Sequence, residues 1–196
     1  MKLIISSTSP YSRKCRVMVR EFALGDAIEE VEAHPFDDDP DLLRANPLGR
    51  VPCLLMDDGQ ALTESAIIAD YIAERAGEPW PRDWTDRRLE ALGSGLLDLT
   101  VMRRVEMVRD EGIRSDFWIG RRERGIQRAL DELEAGMGQA DNPYAQGPLT
   151  MAVALGYLDF RYPECDWRSG RPRLVALHDA WASRASFQST QPPADG

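Results

Sequence analysis

Three short stretches hold residues whose types and spacing can do chemistry. The first is Ser9-Pro10-Tyr11-Ser12-Arg13-Lys14-Cys15-Arg16, which follows the apolar run Leu3-Ile4-Ile5. Ser9 is a good N-cap, and Pro10 suits the first helical position because its missing N–H would be unpaired there anyway. A hydroxyl is thereby set where free backbone N–H groups and the positive end of a helix dipole converge. That combination stabilises an anion, including a thiolate. Ser12, one turn further in, is the rival hydroxyl. A strand followed by Ser9-x-x-Ser12 stands where a redox protein carries Cys-x-x-Cys, so hydroxyls in both places argue against dithiol chemistry. The second stretch is Asn46-Pro47-Leu48-Gly49-Arg50-Val51-Pro52. Pro52 withholds a backbone donor at the start of an apolar strand, and a cis Val51–Pro52 bond would aim the Val51 N–H and C=O outward to pair with an extended ligand. The third is Thr63-Glu64-Ser65, where Ser65 at a helix start offers a carboxylate site and Glu64 can face an ammonium.

The elements that position these residues are legible from periodicity. Residues 2–6 read as a strand. Tyr11, Cys15, Met18, Val19 and Phe22 recur on one face of a helix over 10–24, ended by Gly25. Residues 28–33 form a second strand. Asp39 or Asp41 caps a short helical segment from Leu42 to Ala45, and Val51 to Met56 and Gln60 to Leu62 are further strands. Ala66 to Ala76 is a helix with Ile67, Ile68, Tyr71 and Ile72 as its buried stripe, ended by Gly77. Residues 77–86 carry two prolines and two tryptophans, a linker pinned by its aromatics, with Thr85 or Asp86 capping the next helix. Strand signals then stop. Leu89, Leu92, Leu96, Leu99 and Met102 mark a helix over 87–110, in which Gly93 and Gly95 each cost about 1 kcal/mol unless close packing uses them. Ile126, Leu130, Leu133 and Met137 mark another, the stretch from Asp141 to Pro148 is a loop, and Met151 to Phe160 and Leu174 to Trp181 complete a helical bundle.

Composition narrows the function classes. A net charge of −9 disfavours a nucleic-acid binder. Three cysteines and two histidines without ligand spacing disfavour a disulfide framework and a metal site, and fit a reducing compartment. No apolar run approaches the roughly 20 residues of a membrane span, and Met1-Lys2 leads into only three strongly apolar residues, so no membrane partner and no secretory leader are expected. A cytoplasmic location is the expectation.

Ser9-Pro10…Lys14, Asn46-Pro47-Leu48-Gly49-Arg50-Val51-Pro52 and Glu64-Ser65-Ala66-Ile67-Ile68, in that order and spacing, resemble the N-terminal domain of a cytosolic glutathione S-transferase. Bacterial members are also similar in Gly156 to Arg161, Arg171 to Leu174 and the Ser186-Phe187…Pro192-Pro193 tail, so the resemblance spans nearly the whole chain. It implies a thioredoxin-like βαβαββα domain over 1–78, a linker over 79–86 and an all-α domain over 87–196. One departure stands out. Relatives begin a core helix with Thr-x-Ala-Asp-Ile-Ala, whereas Thr150-Met151-Ala152 runs straight into Val153-Ala154-Leu155-Gly156, leaving Thr150 as an N-cap without its Asp partner.

The resemblance further implies glutathione as co-substrate, with no metal. Val51 N–H and C=O beside Pro52 would pair with the cysteinyl backbone. Ser65 and Glu64 would take the γ-glutamyl carboxylate and ammonium, Arg50 the glycyl carboxylate, and Ser9 the sulfur. Ser9 then donates a hydrogen bond to the thiolate and forms no covalent bond, which favours conjugation, isomerisation or dehalogenation over disulfide reduction. Tyr11, Leu99, Met102 and Arg103 are the expected surroundings of a hydrophobic or anionic electrophile. A homodimer is expected from the resemblance alone. The competing expectation is a non-catalytic binding or scaffold protein with the same fold.

Overall fold

The computed structural model describes residues 1–78, 83–137, 142 and 145–194. The chain divides into two compact units, Met1–Pro81 with Ser183–Gly196, and Arg82–Ala182. The first holds β1 (Lys2–Ile5), α1 (Pro10–Glu21), β2 (Glu29–Glu32), α2 (Pro40–Ala45), β3 (Cys53–Leu55), β4 (Ala61–Thr63) and α3 (Ser65–Arg75), the expected βαβαββα order. Its four strands lie in the order β2-β1-β3-β4. β1 runs parallel to β2 and antiparallel to β3, and β3 is antiparallel to β4. Side chains alternate across a strand. Ile4 and Cys53 accordingly join Leu42 of α2, Ala33 and Val51 in one core cluster. Leu3, Ile5 and Leu54 are buried as well, as expected for a sheet covered on both faces.

Local chemistry explains most boundaries. Ser9 caps α1, with its Oγ accepting from Ser12 N–H at 3.2 Å. The helix ends at Glu21, earlier than Gly25, because Ala23 takes a left-handed conformation with φ 52°. Leu24 N–H then reaches Val19 C=O at 2.8 Å, the six-to-one closure of a Schellman end. Asp39 caps α2, accepting from both Asp41 N–H and Leu42 N–H. In α3 the buried positions are Ile68, Ala69, Ile72 and Ala73, while Ile67 lies 53 % exposed on the opposite side.

The second unit is helical. It holds α4 (Trp84–Met107), a 3-10 turn at Glu111–Ile113, α5 (Asp116–Gly136), α6 (Gln146–Arg161) and α7 (Pro172–Ala182). Of the anticipated linker, residues 79–82 lie outside the described residues. Asp83, two positions before Thr85 and three before Asp86, caps α4 by accepting from Thr85 N–H at 3.0 Å. Trp84 is 85 % exposed, so it pins nothing. Of the loop anticipated over 141–148, residues 141, 143 and 144 also lie outside the described residues. α6 already starts at Gln146, and Thr150 is an interior residue whose hydroxyl bonds back to Gln146 C=O at 2.8 Å. The cap comes from another helix: Asp86 Oδ1 of α4 accepts Gly147 N–H at 2.9 Å.

A last helix, α8 (Ala185–Gln188), belongs to the first unit, where 87–196 was anticipated as one helical domain. Charge pairing on α1 accounts for the difference. Glu21 accepts from the Arg184 guanidinium and from the Ser186 hydroxyl, and Arg13 Nη2 donates to Phe187 C=O at 3.1 Å.

Candidate functional site

Strand register brings the three chemical stretches to one end of the sheet. Cys53 pairs with Ile4 on one side and with Thr63 on the other. One step back along β3, Pro52 and Val51 therefore lie between the exit of β1 and the exit of β4, with neighbouring strands about 4.8 Å apart. The β1 exit leads to Ser9, whose N–H is bonded to Ser6 C=O at 3.0 Å. The β4 exit leads to Glu64 and Ser65. Helices α1 and α3 pack together, and the Cys15 thiol reaches Ser65 C=O at 3.7 Å, joining the floor of one helix start to the other.

Each component keeps hydrogen-bonding capacity in hand. Ser9 is half-buried, and as a cap its Oγ is an acceptor, so its O–H hydrogen stays available for a ligand. Ser12 is fully buried and its Oγ accepts Ser6 N–H at 3.3 Å, which commits it to the fold. The Val51–Pro52 bond is cis, and among the described residues neither the N–H nor the C=O of Val51 has a partner. Asn46 steadies this stretch: its Nδ2 donates to Arg50 C=O at 2.8 Å, and its Oδ1 accepts Leu48 N–H at 3.1 Å. The Arg50 side chain is exposed.

At the start of α3, Ser65 is the first helical residue and Glu64 occupies the cap position without a side-chain cap bond. Glu64 is exposed and has φ 68°, a left-handed conformation that costs a non-glycine residue about 1–2 kcal/mol. Such strain collects at ligand-contacting positions. Nothing in Thr63-Glu64-Ser65 marks that conformation, because asparagine or glycine is its usual sign. The Cys15 thiol is fully buried and pushed up to about 12, chiefly by burial, against a small opposing effect from the Lys14 charge. It is a structural donor and no nucleophile at neutral pH.

The four residues expected around an electrophile have different surroundings. Tyr11 is half-buried on α1. On α4, Leu99 fills the space at Gly125 where a side chain would begin, Met102 is 53 % exposed, and Arg103 is buried. The Arg103 guanidinium is already spent: Nε donates to Glu123 at 2.8 Å and the group stacks 3.4 Å from the Tyr162 ring centre. It brings no uncompensated charge to an anionic acceptor.

Among the described residues, no helix is long and apolar enough to cross a membrane.

Comparison with known proteins bears on the family and the fold. The glutathione S-transferase N-terminal domain model matches residues 8–75. The chain is 34% identical over 203 residues to the uncharacterized GST-like protein YibF of Escherichia coli (strain K12), covering 98% of this chain and 99% of that one. A glutathione transferase family member from Pseudomonas fluorescens Pf-5, crystallised with bound glutathione, superposes with a TM-score of 0.89 at 33% identity, over 98% of both chains. A glutathione S-transferase from Methylobacterium radiotolerans JCM 2831, in complex with glutathione sulfonate, superposes with a TM-score of 0.87 at 33% identity, over 97% of this chain and 94% of that one.

Proposed function

The chain belongs to the glutathione S-transferase family, and on that footing we propose that it is a glutathione transferase which binds the tripeptide at the sheet end and ionises its sulfur for attack on a small electrophile. The observation that carries this reading is the unpartnered peptide edge of Val51, set by strand register between Ser9 and the start of α3. An extended cysteinyl backbone completes that edge as an added strand would. The γ-glutamyl carboxylate then meets the first-turn N–H groups and hydroxyl of Ser65, with the exposed Glu64 carboxylate facing the ammonium. The exposed Arg50, next to Val51 in the chain, takes the glycyl carboxylate.

These contacts leave the sulfur beside Ser9. A free thiol has a pKa near 8.5, so only a few per cent is ionised at neutral pH. The Ser9 hydroxyl and the dipole of α1 both favour the anion, and each unit of lowering corresponds to about 1.4 kcal/mol. Electrophile specificity stays at the class of small hydrophobic acceptors, with Tyr11, on the same helix as the Ser9 cap, as the side chain to vary. Homodimerisation belongs to the same proposal. Its support is the number of large apolar side chains left exposed in the second unit, Val105, Val108, Ile113, Phe117 and Trp118 among them. A reducing cytoplasm is supported by three cysteines that are all free and buried.

Glutathione-affinity capture followed by turnover of chlorodinitrobenzene tests the reading. Retention with Ser9-dependent turnover is the expected result. Retention without turnover on a broad electrophile panel favours the scaffold role, and failure to be retained removes the proposal.

A further inference from the structure

A charged side chain is buried in the first turns of α1, and no carboxylate among the described residues neutralises it. Arg13 is 6 % exposed. Its recorded partners both belong to Phe187: Nη2 donates to the carbonyl at 3.1 Å, and the guanidinium lies 3.8 Å from the ring centre. Among the described residues its buried Nε has no hydrogen-bond partner. Glu21 of α1 and Glu30 of β2 are engaged elsewhere. Glu21 is held by Arg184 and Ser186, and Glu30 by Arg16 and Arg20. Glu64 and Asp70 stand at the α3 side, with Lys14 on α1 itself. Burial lowers Arg13 to about 10, and the like charge of Arg16 acts in the same direction. At neutral pH it is therefore a cation.

Burying an unpaired charge is costly, and a ring with a carbonyl does not offset it fully. A methionine would fill the same space without that cost. The cation becomes intelligible if its counter-charge arrives with a ligand. Ser9 lies four residues earlier, one helical turn away, where Cβ atoms are about 5–6 Å apart, and helical side chains lean toward the N-terminus.

Resting on the reading that glutathione docks with its sulfur at Ser9, we propose that Arg13 is a positioning residue for the reaction: a fixed, buried positive charge, seated on Phe187, whose field favours the ionised sulfur without touching it. The thiol proton leaves to water, and no bond within the protein changes. The C-terminal segment thereby takes part in the chemistry, since Phe187 holds the guanidinium in place.

The experiment is the ultraviolet absorbance of the bound thiolate against pH, on the full chain saturated with glutathione. Wild type is compared with Arg13→Met, Arg13→Gln, Arg13→Lys and Phe187→Leu, each checked by circular dichroism. A unit charge acting over about 10 Å at an effective dielectric of about 20 moves a thiol by about one pH unit. Either neutral variant should therefore show about tenfold less thiolate at a given pH below the transition. Arg13→Lys should stay close to wild type, and Phe187→Leu should shift the same way by less. A folded, glutathione-binding neutral variant with the wild-type thiol pKa overturns the inference. An unmoved value in Phe187→Leu does so even if neither neutral variant folds. Absence of glutathione uptake by the wild type overturns the underlying reading instead.

Discussion

At the scale of residues, two serines one turn apart have opposite fates. Ser9 sits half-buried at the helix mouth with its O–H unspent, whereas Ser12 is buried and bonded to Ser6 N–H. Replacing Ser9 by alanine should lower kcat/KM about a hundredfold, the scale of losing one preorganised donor, and lower stability by about 1 kcal/mol as a lost cap. Ser12→Ala should cost stability alone, leaving the thiol pKa of bound glutathione where it was. Steady-state kinetics beside urea denaturation separates the two. Glu64→Gln keeps the strained backbone and removes the charge, so glutathione affinity measured by calorimetry should fall about tenfold with little change in melting temperature. The cap role of Ser9 was legible in the sequence because a serine-proline pair constrains the backbone locally, whereas the cis bond before Pro52 was what the family resemblance implied. The left-handed Glu64 and the buried Arg13 were not legible. Both arise from tertiary context that overrides what those residue types do on their own.

Elements show where local signals give way to longer contacts. Hydrophobic period placed β1, α1, β3 and α3 within a few residues. The end of α1 was misplaced because Ala23, and not Gly25, takes the left-handed turn. Ala23→Gly should relieve that turn and raise stability by up to about 1 kcal/mol, measured by urea denaturation. The far end of α1 is also where the tail latches. Burial raises the Glu21 carboxyl, but hydrogen bonds from Arg184 and Ser186 outweigh it and leave the group below its ordinary value. A depressed folded value means that the latch contributes fully above the unfolded carboxylate range and is lost as pH falls through the folded value. The melting-temperature gap between wild type and Glu21→Gln should therefore be open at neutral pH and close in acid. A gap that persists in acid would contradict this assignment.

For the whole molecule, the start of α6 shows how distant residues set a boundary that sequence cannot. Asp86, on a helix 61 positions upstream, caps Gly147, and a Cβ there would come within 2.8 Å of both Asp86 C=O and Leu89 Cβ. Gly147→Ala should cost about 1–3 kcal/mol by overpacking, seen as a lower denaturation midpoint. The two-part architecture was readable from the change of hydrophobic period after residue 80, together with the family resemblance. The return of the tail to the first unit was not, since it depends on Glu21 and Arg13 finding partners more than 160 positions away. What unites the three scales is a sheet end where one unpartnered peptide edge lies between a hydroxyl and a helix start. A crystal structure of the full chain soaked with glutathione tests that most directly. The account predicts the cysteinyl backbone paired to Val51 and the sulfur within hydrogen-bonding distance of Ser9 Oγ. A tripeptide bound elsewhere, or a sulfur turned away from Ser9, would contradict it.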